Sequence, residues 1–345
     1  MSKKFDVVVG NPPYQTEAQG EGTRDTPIYH LFMDAAYEVS HRAVLITPAR
    51  FLFNAGFTPK SWNQRMLADR RLSVPHYVPN SGQLFPGTDI KGGIAVTYWD
   101  DKADHEPIGT FTSYPELNTI LHKVQEQGPA PLETIGITSS RSFRYTDKLY
   151  EDHAEARQLR PEGNAALVNT NAFEQFALVY HVDPPADGHD YVRLLGLIRN
   201  QRVSRWIRSD YISGPASFNS FKVIIPAANG SGALGEVLST PILEGPGVAV
   251  TQTFIALGSF ESLESAEACL KYVKTKFARA MLGVLKITQH NPAKVWKYVP
   301  VQDFTADSDI DWAKSIPEID MQLYGKYGLD AHEIEFIESH IKPME

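Results

Sequence analysis

The chain has 345 residues, 42% of them hydrophobic, and a formal net charge of −8, enough length for two domains that each bury a core. The negative balance excludes a protein that coats nucleic acid over its whole surface, and the single Cys269 excludes a disulfide framework or a cysteine-based metal cluster. No apolar run reaches transmembrane length and no charged-then-apolar start resembles a signal peptide, so the expectation is a cytoplasmic protein with no membrane partner.

In chain order, Val7-Val8-Val9 within Phe5–Gly10 reads as a buried strand, β-branched and closed by a glycine. Asn11-Pro12-Pro13-Tyr14 follows at its carboxyl end, where open α/β sheets bind ligands. Residues 15–27 are polar and glycine-rich, a mobile loop of the kind that carries function. Periodicity then predicts a helix from Ile28 to Ser40, a strand over Ala43–Thr47, a helix over Lys60–Asp69, and strands at His76–Val78 and Ile94–Trp99. This alternation predicts an α/β fold, the second half of a doubly wound, Rossmann-like sheet.

The charged stretch from Asp100 to Pro107 breaks that pattern and sets a boundary near residue 105. Residues 106–302 mix short strands with Pro and Gly turns around one clear helix, Ser262–Leu282, and predict an α+β domain. Residues 303–345 form a third, acidic segment with a short helix at Ala331–Ser339. That segment holds eleven acids and three lysines, so the remaining 302 residues balance to zero.

The tetrapeptide is the stretch most suited to chemistry. Its prolines fix φ and remove two backbone donors, leaving a stiff loop that offers carbonyls and the Asn11 side chain. Asn11 Oδ1 and the Pro12 carbonyl could accept both protons of a planar amine, with Tyr14 stacked on its ring. An ordinary turn is the other reading of Asn-Pro.

Phe5 to Tyr14 resembles the catalytic motif of amino-group methyltransferases that use S-adenosylmethionine, chiefly the adenine-N6 DNA enzymes of restriction–modification systems. The likeness continues in order. Ile28–Ala36 resembles the helix after the catalytic loop, Ala43–Leu52 the next strand, and Gly82–Gly87 with Gly92–Trp99 the last catalytic motif and its strand. Tyr272–Phe277, Phe304, Tyr324–Leu329 and Ile341–Met344 are similar to the C-terminal region of a gamma-class branch; residues 105–220 carry little that matches. The motif is specific for an sp² nitrogen, and the C-terminal likeness makes double-stranded DNA the expected partner.

The resemblance implies catalytic roles for Asn11, Pro12, Pro13, Tyr14 and Phe85, with Tyr14 and Phe85 on the two faces of the flipped base. It also implies cofactor contacts from Asn11, Pro13 and Phe32. A core aromatic is the alternative for Phe85 and for Phe32. The family's cofactor half, a glycine-rich turn and an acid on the second strand, precedes its catalytic loop. Here only Met1-Ser2-Lys3-Lys4 precede the strand, so a second polypeptide carrying that half is expected. Gly230-Ser231-Gly232-Ala233-Leu234-Gly235 is the alternative cofactor turn, without the helix and the acid about 20 residues on that it would need.

Two basic stretches stand out in the neutral body. Arg199, Arg202, Arg205 and Arg208 recur every three residues around Trp206, which on a helix would share one face. Lys271, Lys274, Lys276, Arg279, Lys286, Lys294 and Lys297 lie in a window without an acid. Phosphate contact and a solvated helix face are the two readings of each. Histidine spacing gives no metal motif and no G-x-S-x-G elbow is present. The competing functions are a non-catalytic DNA-binding or specificity module and a protein-glutamine or RNA amine methyltransferase.

Overall fold

The computed structural model describes residues 3–16, 26–55, 57–90, 92–159, 166–286 and 288–345. Most of the loop expected over 15–27, residues 17–25, lies outside them. The fold is mixed α/β, in two compact units, residues 1–118 and 119–345.

The first unit is built on a four-stranded sheet of β1 (Phe5–Gly10), β2 (Ser40–Pro48), β3 (Leu72–Val78) and β4 (Ile94–Asp100), in the order β1-β2-β4-β3. β1 and β2 are parallel, with Val8 opposite Ala43 and Gly10 opposite Leu45; β4 is antiparallel to both its neighbours. Pro75 sits where the β3 register shifts, on an edge strand, the setting that tolerates a missing ladder donor.

Helix α1 (Tyr29–Val39) buries Tyr29, Met33, Ala36 and Tyr37, the spacing of one helical face, against this sheet. It ends at Ser40, whose hydroxyl donates to the Ala36 carbonyl at 2.7 Å as the chain turns straight into β2. Helix α2 (Lys60–Ala68) adds Trp62, Met66 and Leu67 to the same core. Tyr37 stacks on Trp99 at 4.7 Å, joining α1 to β4. Met33 is fully buried, and its replacement by Ala should cost about 2–5 kcal/mol. By contrast, Phe5, Val7 and Val9 on the edge strand β1 are 55%, 47% and 74% exposed.

The boundary lies past the expected 105. Phe111 packs edge-on against Phe53 and Tyr77 at 5.5 and 5.4 Å, and the Asn118 side chain exchanges hydrogen bonds with the Thr112 backbone. These aromatic contacts hold residues 108–118 on the first unit.

The second unit contains two three-stranded sheets. One joins β5 (Tyr191–Ile198), β6 (Gln201–Arg208) and β9 (Val248–Val250); the other joins β7 (Phe221–Pro226), β8 (Ile242–Glu244) and β10 (Phe254–Phe260). The arginine-rich stretch is therefore not a helix. Arg199 and Asn200 both take positive φ, 50° and 61°, making the tight turn of a β5–β6 hairpin. A two-residue turn of that hand matches the twist of its strands and outweighs the three-residue arginine spacing.

The expected helix 262–282 is two helices, α3 (Leu263–Lys274) and α4 (Lys276–Gly283). Thr275, extended at ψ 149°, ends the first and caps the second by accepting from the Ala278 amide. Helices α5 (Ile316–Lys326) and α6 (Ala331–His340) each open on a capping box, Ser315 with Glu318 and Asp330 with Glu333. Residues 303–345 pack within the second unit rather than apart from it.

Candidate active site

The parallel pairing of β1 and β2 brings their carboxyl ends side by side, and the site grows from those ends. Beyond Gly10 the chain leaves the sheet as Asn11-Pro12-Pro13-Tyr14. The Tyr14 carbonyl then accepts from the amides of Ile28 and Tyr29 at 3.0 and 3.4 Å. Helix α1 has no side-chain cap, so Tyr14 supplies a partner for its otherwise unpaired first donors. Gln15–Thr16 pairs antiparallel with Thr26–Pro27.

These residues line a cleft of about 510 Å³, within the range of small-molecule sites, roughly 300–1,000 Å³. Asn11, Pro12, Pro13 and Tyr14 line it, as do Arg50, Asp89 and Ile90. The Tyr14 ring packs against the core of the first unit, and its hydroxyl is enclosed beside Asn11 without a hydrogen bond of ordinary geometry. Burial raises the Tyr14 phenol, and the Asn11 side chain opposes this in part. Tyr29, which also lines the cleft, is pushed up to about 12 by burial, opposed by Thr58 and by the charge of Arg50. A stiff, half-apolar cleft lined by an asparagine and two prolines offers an amide side chain and carbonyls as hydrogen-bond acceptors.

The structure brings Asn11, Pro12, Pro13 and Tyr14 together, but not every residue expected to join them. Phe85 is half-buried and does not line the cleft. Its amide donates to the Ser81 carbonyl, and its own carbonyl accepts from Thr88. Ser81 is buried and accepts from the Ile90 amide, so the same loop turns Asp89 and Ile90 into the cleft instead. Phe32 lies outside the cleft lining, 43% exposed on the outer face of α1 beside Leu31, not in the helix core.

Several basic residues are already committed to this chain. Arg202 donates to the Ser239 and Thr240 carbonyls, and Arg208 is bridged to Asp210 and Asp152. Alternation along β6 puts Arg205 on the face opposite Arg202 and Arg208, where it donates to the Ser204 carbonyl. Arg199 is exposed at the hairpin turn and Lys274 is half-buried. Lys276 pairs with Glu338, and Arg279 is 3% exposed, donating to the carbonyls of Lys274, Thr275 and Lys342. Arg279 is therefore a buried structural arginine, not a phosphate ligand.

The glycine cluster is closed as well. The Glu236 carboxylate accepts from the amides of Ser231 and Gly232 at 2.9–3.0 Å, and the next regular element is the strand β8 rather than a helix. A turn whose donors are filled by its own glutamate is not a cofactor cradle.

Arg50 and Asp89 escaped the sequence reading. Arg50 follows Pro48 at the end of a strand parallel to β1, so strand-end position alone was a usable signal for it. Asp89 had none, because its place depends on the loop anchored by Ser81.

The cleft is a small-molecule-sized site at a strand end, lined by Asn11, Pro12, Pro13 and Tyr14. Residues 1–85 match the family model described as Eco57I restriction-modification methylase. A Mycoplasma pneumoniae protein described as an uncharacterized adenine-specific methylase is 27% identical over 101 residues, covering 28% of this chain. The match spans only 24% of that curated relative's length. Among solved structures, the type IIL restriction-modification enzyme MmeI in complex with DNA aligns at 10% identity and a TM-score of 0.34, over 97% of this chain and 56% of that one. The type IIG restriction endonuclease BpuSI aligns at 10% identity and a TM-score of 0.32, over 92% and 48%. Scores at that level do not establish a shared fold.

Proposed function

We propose that this chain is the catalytic and recognition part of a DNA adenine-N6 methyltransferase of a restriction–modification system. The observation that carries the reading is the placement of Asn11-Pro12-Pro13-Tyr14 in a cleft at the carboxyl end of β1. The family match over residues 1–85 and the adenine-specific methylase relative support it.

In this reading the target adenine leaves the duplex, at a cost of a few kcal/mol, and enters the cleft. Its amine is a poor nucleophile because the lone pair is delocalised into the ring. Asn11 Oδ1 and the Pro12 carbonyl accept the two amine protons and favour a pyramidal nitrogen with a localised lone pair. Loss of one such fixed partner typically costs roughly 3–4 kcal/mol of barrier. Tyr14 offers the stacking ring, worth roughly 1–3 kcal/mol.

S-adenosylmethionine supplies an electrophilic methyl group when bound. Asn11, Pro13 and the exposed Phe32 would form this chain's side of its pocket. The remainder is assigned to residues outside these 345. Among the described residues β1 is an edge strand with Phe5, Val7 and Val9 exposed, and a parallel strand added there would end beside Asn11. Residues 119–302 would contact DNA phosphates through Arg199 and Lys274.

Saturation-transfer NMR of the full chain with the four deoxynucleosides tests the reading without the cofactor half. Deoxyadenosine should give the strongest transfer and lose it in Asn11→Ala. Equal transfer to thymidine, or no effect of Asn11→Ala, would contradict it.

A further inference from the structure

The cleft contains a fixed positive charge that the amine chemistry does not use. Arg50 leaves the carboxyl end of β2, on the parallel neighbour of the strand that leads into Asn11, so the two side chains share one end of the sheet. Its backbone is held on both sides. The Arg50 carbonyl accepts from the Ala55 amide at 3.0 Å, and the preceding Ala49 amide donates to the Gly93 carbonyl at 3.0 Å.

Gly92 closes on the arginine's stem. Gly92 has φ +86°, and a Cβ built there would lie 2.9 Å from Arg50 Cγ and 3.5 Å from its Cα. Tyr77 holds this glycine by donating its hydroxyl to the Gly92 carbonyl at 3.3 Å. The approach requires glycine, and it restricts the rotamers of the stem beneath it. A side chain whose stem is restrained before binding loses less entropy on engaging a ligand.

Resting on the adenine reading, we propose that Arg50 holds the phosphate of the nucleotide whose base enters the cleft. A base cannot enter without drawing its own phosphates to the mouth, and a planar fork of N–H donors matches phosphate oxygens. The role is binding and positioning: Arg50 holds the nucleotide while Asn11 and Pro12 act on its amine.

The test titrates the full chain with deoxyadenosine and with its 5′- and 3′-monophosphates, for the wild type, Arg50→Met, Gly92→Ala and Asn11→Ala. The wild type should bind at least one monophosphate about tenfold tighter than the nucleoside. Arg50→Met should equalise the two. Gly92→Ala, which displaces the arginine without deleting it, should shrink the ratio in part. Asn11→Ala should weaken all three ligands by one factor and preserve the ratio.

A wild type that binds nucleoside and monophosphates equally, or a ratio that survives Arg50→Met, overturns the proposal and leaves the adenine reading standing. No binding of any of the three at millimolar concentration overturns both. S-adenosylhomocysteine and 5′-methylthioadenosine, which differ by the amino-acid portion with its carboxylate, form a further arm. If Arg50→Met removes only a preference for the former, the anion held is the cofactor's and the proposal is wrong.

Discussion

The cleft of the first unit and the basic stretches of the second were both marked by local sequence, and the structure treats them differently. Asn11, Pro12, Pro13 and Tyr14 stand together because a strand end and a stiff loop fix them, whatever lies far along the chain. Arg202, Arg208, Lys276 and Arg279 are instead engaged by residues two to more than sixty positions away. Charge in a sequence is thus not charge on a surface, since a cation's availability depends on partners that its neighbours in sequence do not reveal.

The largest effect that sharpens this contrast is on catalysis. Asn11→Ala should lower methyl transfer about a hundredfold or more, with a denaturation midpoint within about 0.5 kcal/mol of the wild type, as for most exposed positions. Arg279→Ala should do the reverse in kind. It removes a buried cation that donates to three carbonyls, so urea unfolding should show a loss of about 3 kcal/mol. A stable Arg279→Ala with weakened DNA binding would break the distinction between the two regions.

Asp320 gives a smaller effect with a defined sign. Burial raises its carboxyl to about 6, opposed by the amides of Phe277 and Lys276 that it accepts from. Between the unfolded value near 4 and about 6, the folded state binds the proton and the unfolded state does not. Stability contributed by this group is therefore present at low pH and lost as pH rises through about 6. Urea midpoints measured from pH 4 to 7 should decline less steeply in Asp320→Asn than in the wild type.

How much of this was legible follows the same physics. The strands and helices of residues 5–100 were readable because each buries a periodic face, as Met33, Ala36 and Tyr37 do on α1. The hairpin was misread because a period of three in arginines concealed the alternation of Val203, Arg205 and Ile207, and because the turn residues Arg199-Asn200 lack glycine. Thr275 was missed as a break because Lys274 and Lys276 suit a continuous helix equally well. Within the cleft, Asn11–Tyr14 were legible as a motif. Arg50 needed the sheet topology, and Asp89 needed the Ser81-anchored loop.

Two small effects probe each region at its finest. Tyr14→Phe removes an enclosed hydroxyl that lacks an ordinary hydrogen bond, so deoxyadenosine affinity should change less than about twofold. Tyr14→Ala should cost roughly 1–3 kcal/mol in the same titration. In the second unit, Arg199→Ala should flatten the salt dependence of DNA binding by about one counterion, equally for all sequences. Arg202→Ala should leave that slope unchanged, because its guanidinium is engaged by Ser239 and Thr240.

The most direct test of the central claim identifies the product. The chain and its adjoining coding region are expressed in a host without adenine methylation, and host DNA is digested to nucleosides for mass spectrometry. The account predicts N6-methyldeoxyadenosine with the wild type and almost none with Asn11→Ala at equal protein levels. Methylated cytosine instead, or undiminished N6-methyldeoxyadenosine with Asn11→Ala, would contradict it.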